Sequence, residues 1–390
     1  MMKKYIHIAA VVVMALGANA QDKTNKKNSE YKFTVTKNIE ATSVKNQGKT
    51  GTCWTFSSLS FFESELIRMG KGKDMDLSEM FVVRTAYPLK AENYVRMHGK
   101  AQFAEGGEFH DVAYVLKNYG MVPTEVYNGS YQATSKFPYD HKAMDSTLVS
   151  QLTTVVDPKN ETIKPAEWRG KFEETLNNYL GKAPENFEYK GKKYTPQSYA
   201  KELGINADDY VYITSFTHHP FYQPFVIEIP DNWAWQQAYN VPLDELMQTM
   251  SGAINKGFGI GWAADVSEKY FRFKDGLALM PEAWNTMSAM DKDKCFDKPC
   301  KQMEINQQVR QEAFDNYETQ DDHGMHIVGM AKDQNNTNYY IVKNSWGVDR
   351  NECDGYFYAS EAYVKYKTIS IMVHKKALSA ELAKKLGIKQ

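Results

Sequence analysis

Neither sign of charge is in excess: 47 Lys and Arg stand against 48 Asp and Glu, a formal net charge of −1. No global field therefore draws the chain to nucleic acid or to an anionic membrane, and no nucleic-acid partner is expected. Cysteine is sparse. Cys53, Cys295, Cys300 and Cys353 are too few in 390 residues for a disulfide scaffold. Beyond residue 20 no apolar run is long enough to cross a bilayer. There is no internal repeat and no low-complexity tract. With 42% hydrophobic and 13% aromatic residues the chain can fill a core, which excludes wholesale disorder.

What is present begins with an export signal. Lys3 and Lys4 precede an apolar run from Ile6 to Ala15, broken only by His7, and Ala18-Asn19-Ala20 offers small residues for cleavage. Residues 1–20 are expected to be a signal peptide, with an uncleaved anchor as the alternative. The expectation is an exported protein, periplasmic or secreted, with no stable membrane insertion after cleavage. The basic cluster from Lys23 to Lys27 reads as a solvated tether. Export permits disulfides, and Cys295 and Cys300, close together in a polar loop, are the expected local bridge.

Helical patterns come first and strand patterns later, which predicts an α+β fold with segregated halves. An edge strand is expected around Tyr31, Phe33 and Val35. Helices are expected over 54–69, 78–87 and 109–118, the second capped by Ser78 and stopped by Pro88. Residues 128–205 are polar and read as an insertion between a helical half, 21–127, and a β-rich half, 206–390. In the latter, strands are expected over 210–214, 225–229, 326–330, 339–343, 355–358 and 368–373, with an amphipathic helix over 242–256.

Chemistry concentrates at Cys53. It stands where the turn-rich loop 47–53 meets the first turn of a helix, and orphan N–H groups and the helix dipole favour a thiolate there. With an imidazolium beside it, such a cysteine titrates near ~3–4 instead of ~8.5. A buried, inert cysteine is the alternative reading. Gln47, six residues earlier, can fold back so that its amide and the Cys53 N–H form an oxyanion hole, unless it is a solvated loop residue.

The stretch from Val44 to Ser57, with Gln47, Cys53 and Trp54, resembles the nucleophile segment of papain-like cysteine peptidases. Asp322-His323-Gly324-Met325-His326 resembles their histidine strand, and Lys343-Asn344-Ser345-Trp346-Gly347 their asparagine segment. The separation of Cys53 from His323 (323 minus 53) is 270 residues, against roughly 130–150 in ordinary members. That excess, together with Gly106-Gly107, the stretch from Lys117 to Pro123, and Ala264-Asp265-Val266, is similar to the bleomycin hydrolase and aminopeptidase C branch. The resemblance implies a papain-like α+β fold: a helical half carrying the nucleophile, an antiparallel sheet half carrying His and Asn, and a large insertion.

It further implies a thiol peptidase with Cys53 as nucleophile, His323 as base, Asn344 orienting the histidine and Trp346 shielding it. Gln47 serves the oxyanion, and Gly106 and Gly107 let a substrate backbone approach. Peptides are the expected partners, and neither a metal nor an organic cofactor is required. A hexamer is expected by resemblance only. His326, three residues along the strand from His323, should face the other way. Ordinary papain-like members have a second cysteine at the place of Thr50, and its absence here is shared with the bleomycin hydrolase branch. The chain is also expected to end before the tail that aminopeptidase-type members lay in the cleft, with Leu378, Leu382 and Leu386 on one face of a short docked helix. Aminopeptidase-like action on short peptides is therefore weighed against endopeptidase or broader action, acyl transfer, and an idle binding protein.

Overall fold

The computed structural model describes residues 23–129, 139–159 and 167–390, so the signal expected at 1–20 lies outside it. The first half is built on α1 (Cys53–Arg68), α2 (Glu79–Arg96) and α3 (Phe109–Asn118). Buried side chains surround α1 from Trp54 to Leu66, the mark of a helix running through the core. Ser78 caps α2 by accepting from the Phe81 N–H at 3.0 Å. Contrary to expectation, α2 does not stop at Pro88 but runs on to Arg96. Proline there forfeits one backbone hydrogen bond, yet Lys90 and Ala91 beyond it are buried, and their packing holds the second half helical.

Helices α4 (Lys142–Val156) and α5 (Trp168–Leu180) fall within the polar stretch. They lie against α2, and their Leu148, Leu152, Phe172 and Leu176 enter the same core as α1–α3. The stretch continues with a hairpin, β2 (Phe187–Tyr189) and β3 (Lys192–Tyr194), then α6 (Pro196–Leu203); β1 (Thr34–Asn38) is the early edge strand, as expected.

The second half is a sheet. Its strands are β4 (Tyr210–Thr214), β5 (Pro224–Val226), β6 (Gln237–Asn240), β7 (Ile260–Ala264), β8 (Phe271–Arg272), β9 (Leu277–Ala278), β10 (His323–Lys332), β11 (Asn338–Lys343), β12 (Tyr356–Ser360) and β13 (Thr368–His374). They run in the order β5-β6-β4-β13-β7-β10-β11-β12-β9-β8, with β1 on β10. Most pairings are antiparallel, but β4 with β6 and β9 with β12 are parallel, so the sheet is mixed, not antiparallel throughout. The strand expected over 225–229 shortens to β5, because the chain turns at Ile229 and Asn232.

Alternation along β10 and β7 assigns the two faces. Gly324 and His326 face α1, whereas Met325, Ile327 and Trp262 join the core around α7 (Leu243–Asn255) on the opposite face. Among the remaining helices, α8 (Ala289–Lys294) precedes Cys295, and α9 (Gln307–Asp315) packs on α10 (Glu361–Lys367). The last, α11 (Ala380–Lys385), buries Leu382 with Leu378 and Leu386 against the α7 core, and Gly387 ends it at φ +68°. Lys385 pairs with Glu245 of α7 at 2.9 Å, and Gln390 Nε2 donates to the Leu378 carbonyl at 3.0 Å. Residues 380–390 thus lie on the sheet face away from α1. Cys295 and Cys300 are in contact but unbridged; all four cysteines are free thiols. No helix among the described residues is long and apolar enough to cross a membrane.

Candidate active site

The site forms where the N-terminus of α1 meets the start of β10. Cys53 opens α1, half-buried, and its Sγ accepts the Gly324 N–H at 3.4 Å. His323 is the residue immediately before Gly324, at the start of the same strand. Glycine at 324 allows this approach: a Cβ there would stand 2.8 Å from Ser57 Oγ and 3.3 Å from Trp54 Cα, forcing β10 away from the first turn of α1.

His323 is buried, and its Nε2 lies 2.8 Å from Asn344 Oδ1 at the end of β11. The orientation of that amide is fixed, because Oδ1 also accepts the Ser345 N–H at 2.8 Å, which can only donate. Nε2 of His323 must then carry a proton and donate, leaving Nδ1 as the nitrogen able to exchange a proton with the thiol. Trp346 covers the ring with centroids 4.8 Å apart, and is itself packed edge-on against Phe271 and Phe273.

His326 is in a different environment. It faces α1, where Nδ1 meets Ser60 Oγ at 2.9 Å and the ring packs edge-on against Phe61. Burial, reinforced by the charge of Lys343, holds it well below the usual histidine pKa, so it is a neutral core residue.

Gln47 is buried. Its Oε1 accepts from Ser345 Oγ at 2.6 Å and its Nε2 donates to the Thr50 carbonyl at 2.7 Å. Thr50 braces the same loop by donating to the Gln47 carbonyl at 2.9 Å. An amide nitrogen has two hydrogens, so Gln47 keeps one to offer. Sequence reasoning gave Ser345 no role, although it holds both Gln47 and Asn344; its place between Asn344 and Trp346 was the available signal.

Gly106 and Gly107 flank this arrangement. Trp54 Nε1 donates to the Glu105 carbonyl at 3.0 Å, and a Cβ at 107 would meet the Trp54 indole at 3.0 Å. At 106 the space for a Cβ is filled by the Asp231 carboxylate. Buried Lys90 donates from below to the carbonyls of Ala104 and Gly106. These contacts account for glycine at both positions.

The electrostatics differ from the expected thiolate. Burial pushes the Cys53 thiol up to about 12; the Gly324 and Trp54 N–H groups pull it down, and Asp321 and Asp231 push it up. Burial likewise pushes His323 down to about 4, against the Asn344 bond. Each group taken singly is neutral near pH 7. A thiolate–imidazolium pair therefore stands only on the attraction of its two charges and on the helix terminus. The carboxylates that add to the effect of burial on Cys53, Asp321 (itself carried by burial to about 8) and Asp231, had no signal in the sequence beyond Asp321 lying two residues before His323.

Among the described residues one group has metal-ligand composition: His218, His219 and Glu228, with candidate atoms within 4.8 Å of one another. Gln311 Oε1 accepts the Thr217 N–H, so its Nε2 donates to His218 Nδ1 at 3.0 Å. His218 Nε2 then carries the proton and donates to Glu228 at 3.2 Å, offering no lone pair to an ion.

Comparison with known proteins extends these observations over the whole chain. The profile of the Peptidase C1-like family matches residues 2–389. Aminopeptidase G of Lactobacillus delbrueckii subsp. lactis is 23% identical over 373 residues, 87% of this chain and 82% of that protein. Aminopeptidase C of Listeria innocua is 23% identical over 383 residues, 88% of this chain and 82% of its own. The crystal structure of PepW from Lactobacillus rhamnosis superposes with a TM-score of 0.72 at 20% identity, over 91% of this chain and 84% of that one, which shows a shared papain-like fold.

Proposed function

Since this chain belongs to the Peptidase C1-like family and is a cysteine peptidase, we propose that it hydrolyses peptide bonds through a thioester on Cys53, acting as an aminopeptidase on short peptides. The observation that carries the reading is the continuous set of contacts joining Cys53 Sγ, the β10 start with His323, and Asn344 Oδ1. The names of the two relatives, aminopeptidase G and aminopeptidase C, support the choice of substrate end.

In the proposed reaction the Cys53 thiol passes its proton to His323 Nδ1 as sulfur bonds to the carbonyl carbon. The carbonyl oxygen becomes an oxyanion, received by the remaining Gln47 N–H and the Cys53 N–H. His323 returns the proton to the amine nitrogen, the C–N bond breaks, and a thioester remains. Water, deprotonated by His323, then attacks the thioester, releasing the acid and restoring the thiol. Asn344 holds the ring through both steps, and Trp346 keeps water from that bond. The residues that carry these steps are all supplied by this chain.

The test is hydrolysis of short peptides by the purified protein, with C53A and H323A as controls. Product amino acids in the wild type and none in either variant is the expected result; turnover that survives in C53A refutes the reading. Residues 1–20 support export as part of the same proposal, checked by fractionating cells for the processed form.

A further inference from the structure

We propose that Asp231 is the carboxylate that receives the protonated α-amine of the peptide to be cut, and that its loop closes the cleft on that side. The inference rests on the peptidase reading and adds to it the residue that selects the substrate end.

The argument starts at the nucleophile and moves outward. Cys53 is followed by Trp54, whose indole lies against Gly107; Gly106 is next, and the Asp231 carboxylate fills the space beside it. A substrate residue running upstream of the scissile carbonyl along this glycine loop meets Asp231. The loop that carries it is rigidly held. Asn232, buried, donates to the Ile227 carbonyl at 3.1 Å and to the Gln236 carbonyl at 2.9 Å, and accepts the Gln236 N–H at 3.0 Å. The Trp233 carbonyl accepts from Asn93 of α2 at 2.8 Å, and the Trp233 indole donates to Asp111 of α3 at 2.8 Å. Such fixing places the carboxylate in advance of binding, which lowers the ordering cost.

Asp231 has one oxygen committed. Oδ1 accepts from Gln102 Nε2 at 2.7 Å; Oδ2 has no protein donor among the described residues. The nearby charge is unbalanced as well. Asp231, Asp111, Asp145 and Glu105 all bear on Lys90, whose donors go to the carbonyls of Ala104 and Gly106. The Tyr87 hydroxyl, fully buried and without a partner, senses Glu105, Asp145 and Asp231 in turn. Four carboxylates and one cation leave room for a second cation, and an α-ammonium is one that every unblocked peptide supplies at a fixed distance from its first peptide bonds. None of residues 380–390, which pack on α7, reaches this place.

The experiment compares an aminoacyl amide and a dipeptidyl amide, each with a free and with an acetylated amine, in wild type, D231N and D231A. Wild type is expected to prefer the free amine by about 10- to 100-fold in kcat/KM, the worth of one charge-assisted hydrogen bond. D231N should lose that factor on free-amine substrates and keep its rate on acetylated ones; D231A should behave alike and accept longer blocked peptides. The preference is read first in the unaltered enzyme, so a variant that does not fold leaves the claim open to refutation. An active wild type that favours acetylated peptides, or that favours an upstream lysine over a free amine, overturns the inference. So does a free-amine preference unchanged in both variants; these results leave the peptidase reading standing. A wild type inert on all four substrates overturns the peptidase reading and the inference together.

Discussion

Removing the Asn344 amide should cost activity and move the acid limb of the pH profile in a direction that identifies its role. In N344A the 2.8 Å bond to His323 Nε2 is lost. During catalysis that bond is made to a ring bearing positive charge, so it belongs to the class worth ~1.5–3 kcal/mol. If it is realised only as the ring takes up the thiol proton, kcat/KM falls by about 10- to 150-fold. The Asn344 bond also raises a histidine that burial has pushed down to about 4. Deleting it lowers that value further, so the acid limb moves to lower pH. N344D keeps an acceptor for both His323 and the Ser345 N–H and adds a negative charge, so its acid limb moves the opposite way, to higher pH. The assay is kcat/KM on an aminoacyl amide across the acidic range, with circular dichroism to confirm folding. Limbs that stay put, or that move together in the two variants, with kcat/KM near wild type, would refute the reasoning.

Further outcomes are expected. Gln47→Ala removes one oxyanion donor and should lower kcat by about 100- to 1000-fold, with KM little changed, in steady-state assays. His326→Ala breaks the Ser60 contact and empties core volume. Thermal unfolding should show a loss of about 1–3 kcal/mol, while kcat/KM per folded molecule stays near wild type; a folded but inactive H326A would reverse the assignment of the two histidines. Unfolded histidines are half protonated near pH 6.5 and become neutral only above about 7.5, and buried Lys343, pushed down to about 8, begins to lose its proton in the same range. There the folded state still holds protons on Asp321, carried to about 8 by burial, and Glu79, to about 7. Through these two groups the folded state binds more protons than the unfolded state, so their own contribution to stability should decline as pH rises from about 6.5 to about 8. Differential scanning fluorimetry of wild type and D321N checks this: the wild type should lose stability relative to D321N as pH rises through that window, and a difference that does not change with pH contradicts it.

Much of this molecule was legible in its residues. The helix expected over 109–118 is α3, Phe109–Asn118, whose ends are set locally by a capping box between Glu108 and Asp111 and by Gly120 at φ +91°. Strands β4, β11 and β13 were legible because their burial is dense in β-branched and aromatic residues. The failures are long-range. Proline at 88 is a local stop signal, overridden by burial of Lys90 and Ala91 that only the packed helices impose. The parallel pairings of β4 with β6 and of β9 with β12 leave no periodic trace. At the site, Gln47, Cys53, His323 and Asn344 lie in recognisable segments. Asp231 lies more than a hundred residues from Gly106 along the chain and has no motif, so only folding reveals it. The balance of forces on Cys53 is only half legible for a related reason: a helix N-terminus is visible in sequence, but the burial that pushes the thiol up is not.

The central claim is that Cys53 alone among four thiols forms the acyl intermediate, with His323 moving the proton. It is tested by quenching the enzyme in acid during turnover of a slowly deacylating ester and mapping the acyl mass by peptide mass spectrometry. The account predicts one acyl group per chain on the peptide containing Cys53, none in C53A, and a greatly slowed appearance in H323A. Acyl mass on Cys295, Cys300 or Cys353 instead, or full-rate acylation without the His323 imidazole, would contradict it.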